Sequence, residues 1–229
     1  EVLFGLAGNT WRLGDLDSAE AFSREELALS RALGAVGLEA QAVNMLGLVA
    51  GARADLDTEQ ARYEESLALS RQIGDLFREA VAVANLGVIA LLRQEYKEAI
   101  GYLETAIEKF NDLGRQESVA LNLGNLAHAN LKLGHTATAR VHVREMLRLA
   151  RQLGAVPRVL DALLNLAEIL IAEGQTERGL ELIGLIRGHP AAEFQMLQEI
   201  DRIVGGVRLD PAEVEAALAR GETLDLETV

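Results

Sequence analysis

Residues 80–114 read AVAVANLGVIALLRQEYKEAIGYLETAIEKFNDLG, and the fold turns on this stretch. An uncharged apolar segment, Ala80 to Leu92, is followed by a polar break at Arg93–Gln94–Glu95 and by an amphipathic segment ending at Gly114. Shifted by 40 residues in either direction, the chain matches itself. Leu46, Leu86, Leu126 and Leu166 fall in register, as do Gly34, Gly74, Gly114 and Gly154, and Leu33, Ile73, Leu113 and Leu153. A fixed period of this length marks stacked supersecondary units, each burying its apolar face against its neighbours. No alternating run and no hairpin dipeptide flanks an apolar segment, so the expectation is an all-α chain.

Within each unit the two halves differ. The first is nearly charge-free, as in Ser118–Leu131, whereas the second keeps charge on one face, as in Glu64–Glu65 and Glu104–Glu108. A helix that is apolar most of the way round is packed on most sides. First helices are therefore expected between their partners and the adjacent units, and second helices on the outer wall. A glycine just past the last apolar residue suits a left-handed helix stop. The units expected are 1–34, 35–74, 75–114, 115–154 and 155–188, forming a right-handed α-solenoid of about five helix-turn-helix repeats. Residues 189–229 are expected to cap the last repeat, since an open end needs a polar cover. One helix is placed over Ala191–Val204 and stopped by Gly205–Gly206. A second starts at Asp210–Pro211–Ala212–Glu213, with aspartate as cap, proline in the first turn and an acid at the third position.

Composition narrows the function. The 229 residues carry a net charge of −13, which repels nucleic acid and anionic membranes. Uncharged runs such as Gln41–Ala52 reach about a dozen residues, short of a bilayer span. Cysteine is absent, so disulfides and thiolate metal sites are excluded. The four histidines, His128, His135, His142 and His189, show no metal-ligand spacing. No nucleophile elbow, phosphate loop or paired-carboxylate arrangement is present. The expectation is therefore a protein without catalytic residues, metal or cofactor. Glu25–Glu26 and Glu64–Glu65 read as solvated faces of outer helices, and Trp11 and Tyr96 as packing residues near turns. No signal peptide opens the chain, which starts at Glu1 inside a helical pattern. The reading is a cytoplasmic protein, and a piece of a longer polypeptide.

The residues that repeat point to a family. Asn85-Leu86-Gly87, then Glu95-Tyr96, Ala99, Leu103 and Ala106-Ile107, resemble the tetratricopeptide (TPR) pattern. The small residue after the repeat leucine recurs as Gly47, Gly87, Ala127 and Ala167, and the one after the turn as Ala19, Ala99, Ala139 and Gly179. Glu59 departs from the second series, and Glu26 and Ile186 stand where a small residue is usual. With its 40-residue period, the array resembles the carboxyl-terminal arrays of bacterial regulators, namely ATPases of the STAND class and LuxR-type transcription factors. That resemblance implies a partner- or ligand-sensing part of a signalling protein, binding a protein or peptide segment in its concave groove. The alternative reading is a spacer or dimerisation scaffold of the parent protein, giving a homodimer.

Asn85, Asn125 and Asn165 recur directly before the repeat leucine, and Asn44 lies beside Met45 at the matching place. Asparagine is a poor helix former, and a buried unpaired amide costs about 1–3 kcal/mol. Three in register ask for a reason, and two are open. The amides grip the main chain of an extended ligand, as the family resemblance implies, or they bond the neighbouring unit and fix the stacking. One turn along come Leu48, Val88, His128 and Glu168, and further on Leu91, Leu131, Lys132 and Ile171, which together read as an apolar groove with little positive charge. Ala84, Gly124 and Leu164 stand where a chaperone-binding array would need lysines. Arg78 and Arg158 recur at the groove lip, either to meet an acidic ligand or as solvated helix-start residues. The candidate partner-binding set is thus Asn44, Asn85, Asn125, Asn165, Val88, His128, Glu168, Leu131, Lys132, Arg78 and Arg158.

Overall fold

The structure, a computed structural model, describes residues 2–226. Among these lie twelve α-helices and no strand. They are α1 (Val2–Arg12), α2 (Leu16–Leu33), α3 (Val36–Ala52), α4 (Leu56–Ile73), α5 (Leu76–Leu92), α6 (Tyr96–Asp112), α7 (Gln116–Lys132), α8 (Thr136–Gln152), α9 (Val156–Ala172), α10 (Thr176–Gly188), α11 (Phe194–Gly205) and α12 (Pro211–Glu222). The chain divides into two compact units, Glu1–Gly114 and Arg115–Val229. Each is built of helix hairpins stacked side by side. In the first, α1 pairs with α2, α3 with α4 and α5 with α6; in the second, α7 pairs with α8 and α9 with α10.

Backbone punctuation follows the sequence period. Gly34, Gly74, Gly114 and Gly154 all take the left-handed conformation, with φ between 63° and 67°. The turns inside the hairpins use the same conformation at Gly14, Gly134 and Gly174, but Ala54 and Gln94 adopt it without the freedom of glycine, at φ 60° and 63°. Asp15, Asp55 and Asp75 cap α2, α4 and α5, each carboxylate accepting from a backbone N–H three residues on. That cap starts α5 at Leu76, ahead of its charge-free stretch.

Hairpins close on complementary sizes. A Cβ placed on Gly47 would sit 2.5 Å from the Tyr63 ring, and one on Gly87 3.0 Å from Leu103. Across the next contact, Gly179 lies under Ile171, where an added Cβ would meet Cγ1 at 2.7 Å. In the α3–α4 hairpin the sizes are exchanged: Gly51 is the small partner, and Glu59 fills the space. This accounts for Glu59 at a place where Ala19, Ala99 and Ala139 are fully buried. Glu59 is itself buried, and Tyr63 donates to its Oε1 at 3.1 Å while Oε2 is unpaired.

Glu26 corrects an expectation. It is not on a solvated face but only 4 % exposed, with both carboxylate oxygens unpaired. Burial pushes its pKa up, against the pull of Arg78. The helix expected over Ala191–Val204 begins later, at Phe194, because His189–Pro190 and the following residues are extended or in turns. At the end of the second unit α12, not α11, packs along α10. Gly184 and Gly221 allow it, since a Cβ on either would collide with the carbonyl of Leu218 or Glu181.

Candidate functional site

In the first unit Asn44 on α3 and Asn85 on α5 meet directly, Asn85 Nδ2 donating to Asn44 Oδ1 at 3.0 Å. Both are half-buried. This is the neighbour-to-neighbour bond that one of the two readings required, yet it uses only half of each amide. The Asn44 NH2 and the Asn85 carbonyl have no partner among the described residues. Beside Asn44 opens a cavity of about 250 Å³ lined by Phe4, Ala40, Gln41, Ser66, Phe77, Arg78 and Val81. Phe4 and Phe77 are exposed at 38 % and 41 %. Arg78 is held in place, its guanidinium paired to Asp75 and donating to Gln41 Oε1 at 2.7 Å. Val88 is half-buried on α5 and does not line this cavity.

In the second unit the amides differ. Asn165 Nδ2 donates to the Asp161 carbonyl of its own helix at 2.9 Å, leaving Oδ1 as an acceptor. Asn125 makes no side-chain hydrogen bond among the described residues. Both line a cavity of about 270 Å³ with Leu121, Gly124, His128, Arg158, Asp161, Leu164, Glu168 and Glu199. A second cavity of about 600 Å³ continues along α9 and is lined by Glu117, Pro157, Arg158, Asp161, Leu164, Glu193, Gln195, Met196 and Glu199. Five of the predicted residues, Asn125, His128, Arg158, Asn165 and Glu168, are thus brought to one face.

That face is charged, where an apolar groove was expected. Glu168, with a side chain 13 % exposed, lies 3.8 Å from His128 Nδ1, 3.9 Å from Lys132 Nζ and 3.5 Å from Arg202 Nη2. Arg158 pairs with Asp161 at 2.7 Å. Burial pushes the Asp161 pKa up, Arg158 opposes it, and Glu193 adds to it. The bond from Arg202 holds Glu199 below the usual carboxylate range, with His128 and Lys132 helping. The expectation failed because α11 and its N-cap bring Glu199, Arg202 and Glu193 from a distant part of the chain. Ile171 also leaves the groove and packs on Gly179 of the partner helix. Lys132 stays on the face. Both lip arginines are engaged by carboxylates of their own helices and remain 32 % exposed.

Sequence reasoning missed α11 as a wall of the site, along with Phe4, Gln41 and Asp161. Its amphipathic pattern was visible, but where it lands was not.

The comparisons with known proteins bear on the fold. No family model matches the chain, and no curated protein matches it. Among solved structures, BtubC (BKLC) from P. vanneervenii is similar at 21 % identity and TM-score 0.66, covering 90 % of this chain and 81 % of that one. RapI in its apo form matches at 12 % identity and TM-score 0.68, covering 95 % and 83 %. A putative kinesin light chain from Podosopora anserina with nearly identical TPR-like repeats matches at 15 % identity and TM-score 0.62, covering 88 % and 93 %. The chain is accordingly an all-α, TPR-like solenoid. No helix among the described residues is long and apolar enough to cross a membrane.

Proposed function

We propose that this chain is a non-catalytic protein-binding module, and that a partner segment lies along the first-helix face of its hairpins. It is the partner-sensing part of a larger, cytoplasmic bacterial regulator, a role that rests on the resemblance of its 40-residue repeat. The observation that carries the binding role is the state of the asparagines. Asn44, Asn125 and Asn165 each line an open cavity with at least one polar group unpaired, and Asn85 bonds to Asn44 at the edge of the first, which is where a ligand main chain finds donors and acceptors. In the first unit Phe4, Phe77 and Val81 offer an apolar seat for a side chain; in the second the carboxylates favour a cationic or N–H-rich segment.

The test is a peptide array probed with the purified chain, followed by titration of retained peptides against two variants. Asn44→Ala/Asn85→Ala removes both ends of one hydrogen bond, so no buried group is orphaned. Asn125→Ala/Asn165→Ala removes the open amide groups of the second unit, together with the Asn165 bond to the Asp161 carbonyl of its own helix. Two lost bonds of about 1 kcal/mol each weaken binding roughly tenfold to thirtyfold. Unchanged binding by both folded variants, or an array that retains nothing, would remove the proposal.

A further inference from the structure

α11 does not behave as a member of the stack. It is joined on one side through His189–Pro190 and three further residues without helix, and on the other through a turn at Gly206 and residues 207–209 without helix. The place on α10 where another first helix would pack is taken by α12, with glycine backbones in contact. α11 instead touches both α9 and α10 only lightly. It buries Met196, Ile200 and Ile203 in the core of the second unit and leaves Phe194 73 % exposed. Its polar side reaches the predicted partner residues: Arg202 pairs with Glu199 on its own helix and approaches Glu168, and the charges of His128 and Lys132 act on Glu199. Cavities of about 600 and 270 Å³ remain between α11 and the face of α7 and α9, so the contact is incomplete.

We propose that α11 is a removable cover on the binding face of the second unit. It occupies part of the surface that carries Asn125, His128, Asn165 and Glu168, and a partner reaches that surface fully by taking the place of α11. The partner that fits is an amphipathic helix of the same pattern, with apolar residues at i, i+4 and i+7, an acid at i+3 and a cation at i+6, as in Met196, Ile200, Ile203, Glu199 and Arg202. The idea rests on the reading of this face as the partner surface, but the cover itself can be tested without any foreign partner.

The probe is a fluorescent synthetic peptide of residues 190–206, used with the full chain and with Ile200→Glu, which places a charge in the apolar seat of α11. Hydrogen exchange on the unaltered chain is expected to show α11 amides exchanging about a hundredfold faster than those of α9 and α12, through local opening. In Ile200→Glu the α11 amides lose protection while α7, α9 and α12 keep theirs. The peptide then binds the variant at least tenfold more tightly than the parent, and a peptide carrying Arg202→Glu loses most of that affinity. Should Ile200→Glu fail to fold, Arg202→Glu in the full chain serves instead, because that side chain is 56 % exposed and its reversal faces Glu168 and Glu199. Exchange of α11 only together with α9, or equal peptide binding by parent and variant, overturns the cover. Peptide binding to the opened chain with no effect of the asparagine substitutions on array peptides would leave the cover standing and remove the amide reading.

Discussion

Replacing Gly51 by leucine, alone and with Glu59→Ala, tests whether hairpin packing is an exchange of sizes. A Cβ on Gly51 would stand 2.5 to 2.7 Å from the Glu59 carboxylate, so a leucine forces Glu59 out of a site where it is only 7 % exposed. Overpacking of this kind costs about 1–3 kcal/mol, while leucine in place of a helical glycine returns about 0.8 kcal/mol. Gly51→Leu alone should therefore lose up to about 2 kcal/mol, or as much as roughly 4–8 °C in melting temperature for a chain of this size. Glu59→Ala alone removes a buried carboxylate with an unpaired oxygen, but strips Tyr63 of its hydrogen-bond partner and opens a void. The double variant recreates the Leu91–Ala99 and Leu131–Ala139 pairing of other hairpins, and should be more stable than either single, with a coupling of about 2 kcal/mol. Burial raises the folded pKa of Glu59, so its carboxyl contributes stability at acid pH that is lost as pH rises through that value. The advantage of the double variant over the parent should then grow between about pH 4 and pH 7. Urea titrations followed by circular dichroism at both ends of that range provide the measurement. Additive effects of the two substitutions, or a Gly51→Leu chain as stable as the parent, would refute the size-exchange argument.

Gly184→Val drives a side chain into the Leu218 carbonyl and should undock α12, exposing Ala217 and Leu218; the readout is hydrogen exchange in α12, with a loss of about 3 kcal/mol in its protection. Asn44→Asp keeps the acceptor that receives the Asn85 amide but loses the free NH2, so melting should move by under about 2 °C while peptide affinity falls roughly threefold to tenfold in titration.

The repeat register was legible because it is local. Each glycine stop needs only its own helix end, and Gly34, Gly74, Gly114 and Gly154 all take the expected backbone. Leu46, Leu86 and Leu126 are buried for the same reason: period alone places them on the packed side. Pairings across helices were not legible. Gly51 and Glu59 each look anomalous alone, and only their contact explains both. Ala54 and Gln94 occupy left-handed turn positions that glycine fills elsewhere, so turn chemistry by itself would not have set those two turns. The asparagines could be placed on one face by spacing, but whether an amide bonds its neighbour, as Asn85 does, or its own helix, as Asn165 does, depends on rotamer and local room.

That difference between the amides gives the two units distinct chemistry. Around Asn44 and Asn85 the open groups are one NH2 and one carbonyl oxygen, the complement of a peptide unit, and the neighbouring walls are aromatic and aliphatic with one restrained arginine. Such a site reads the backbone through the amides and side-chain size through the cavity. Around Asn165 one N–H is spent on Asp161, and the open Oδ1 stands with the carboxylates of Asp161, Glu168 and Glu199 beside the unbonded amide of Asn125. Acceptors so arranged disfavour a bare carbonyl ridge and favour donors, and the cations within reach are largely committed to those same carboxylates. α11 satisfies this demand with Arg202, whose guanidinium lies between Glu168 and Glu199. A partner replacing α11 displaces Glu199 along with Arg202, and must bring an equivalent cation or leave Glu168 with only His128 and Lys132, at 3.8 and 3.9 Å. Selectivity at this face is therefore set more by that requirement than by apolar fit.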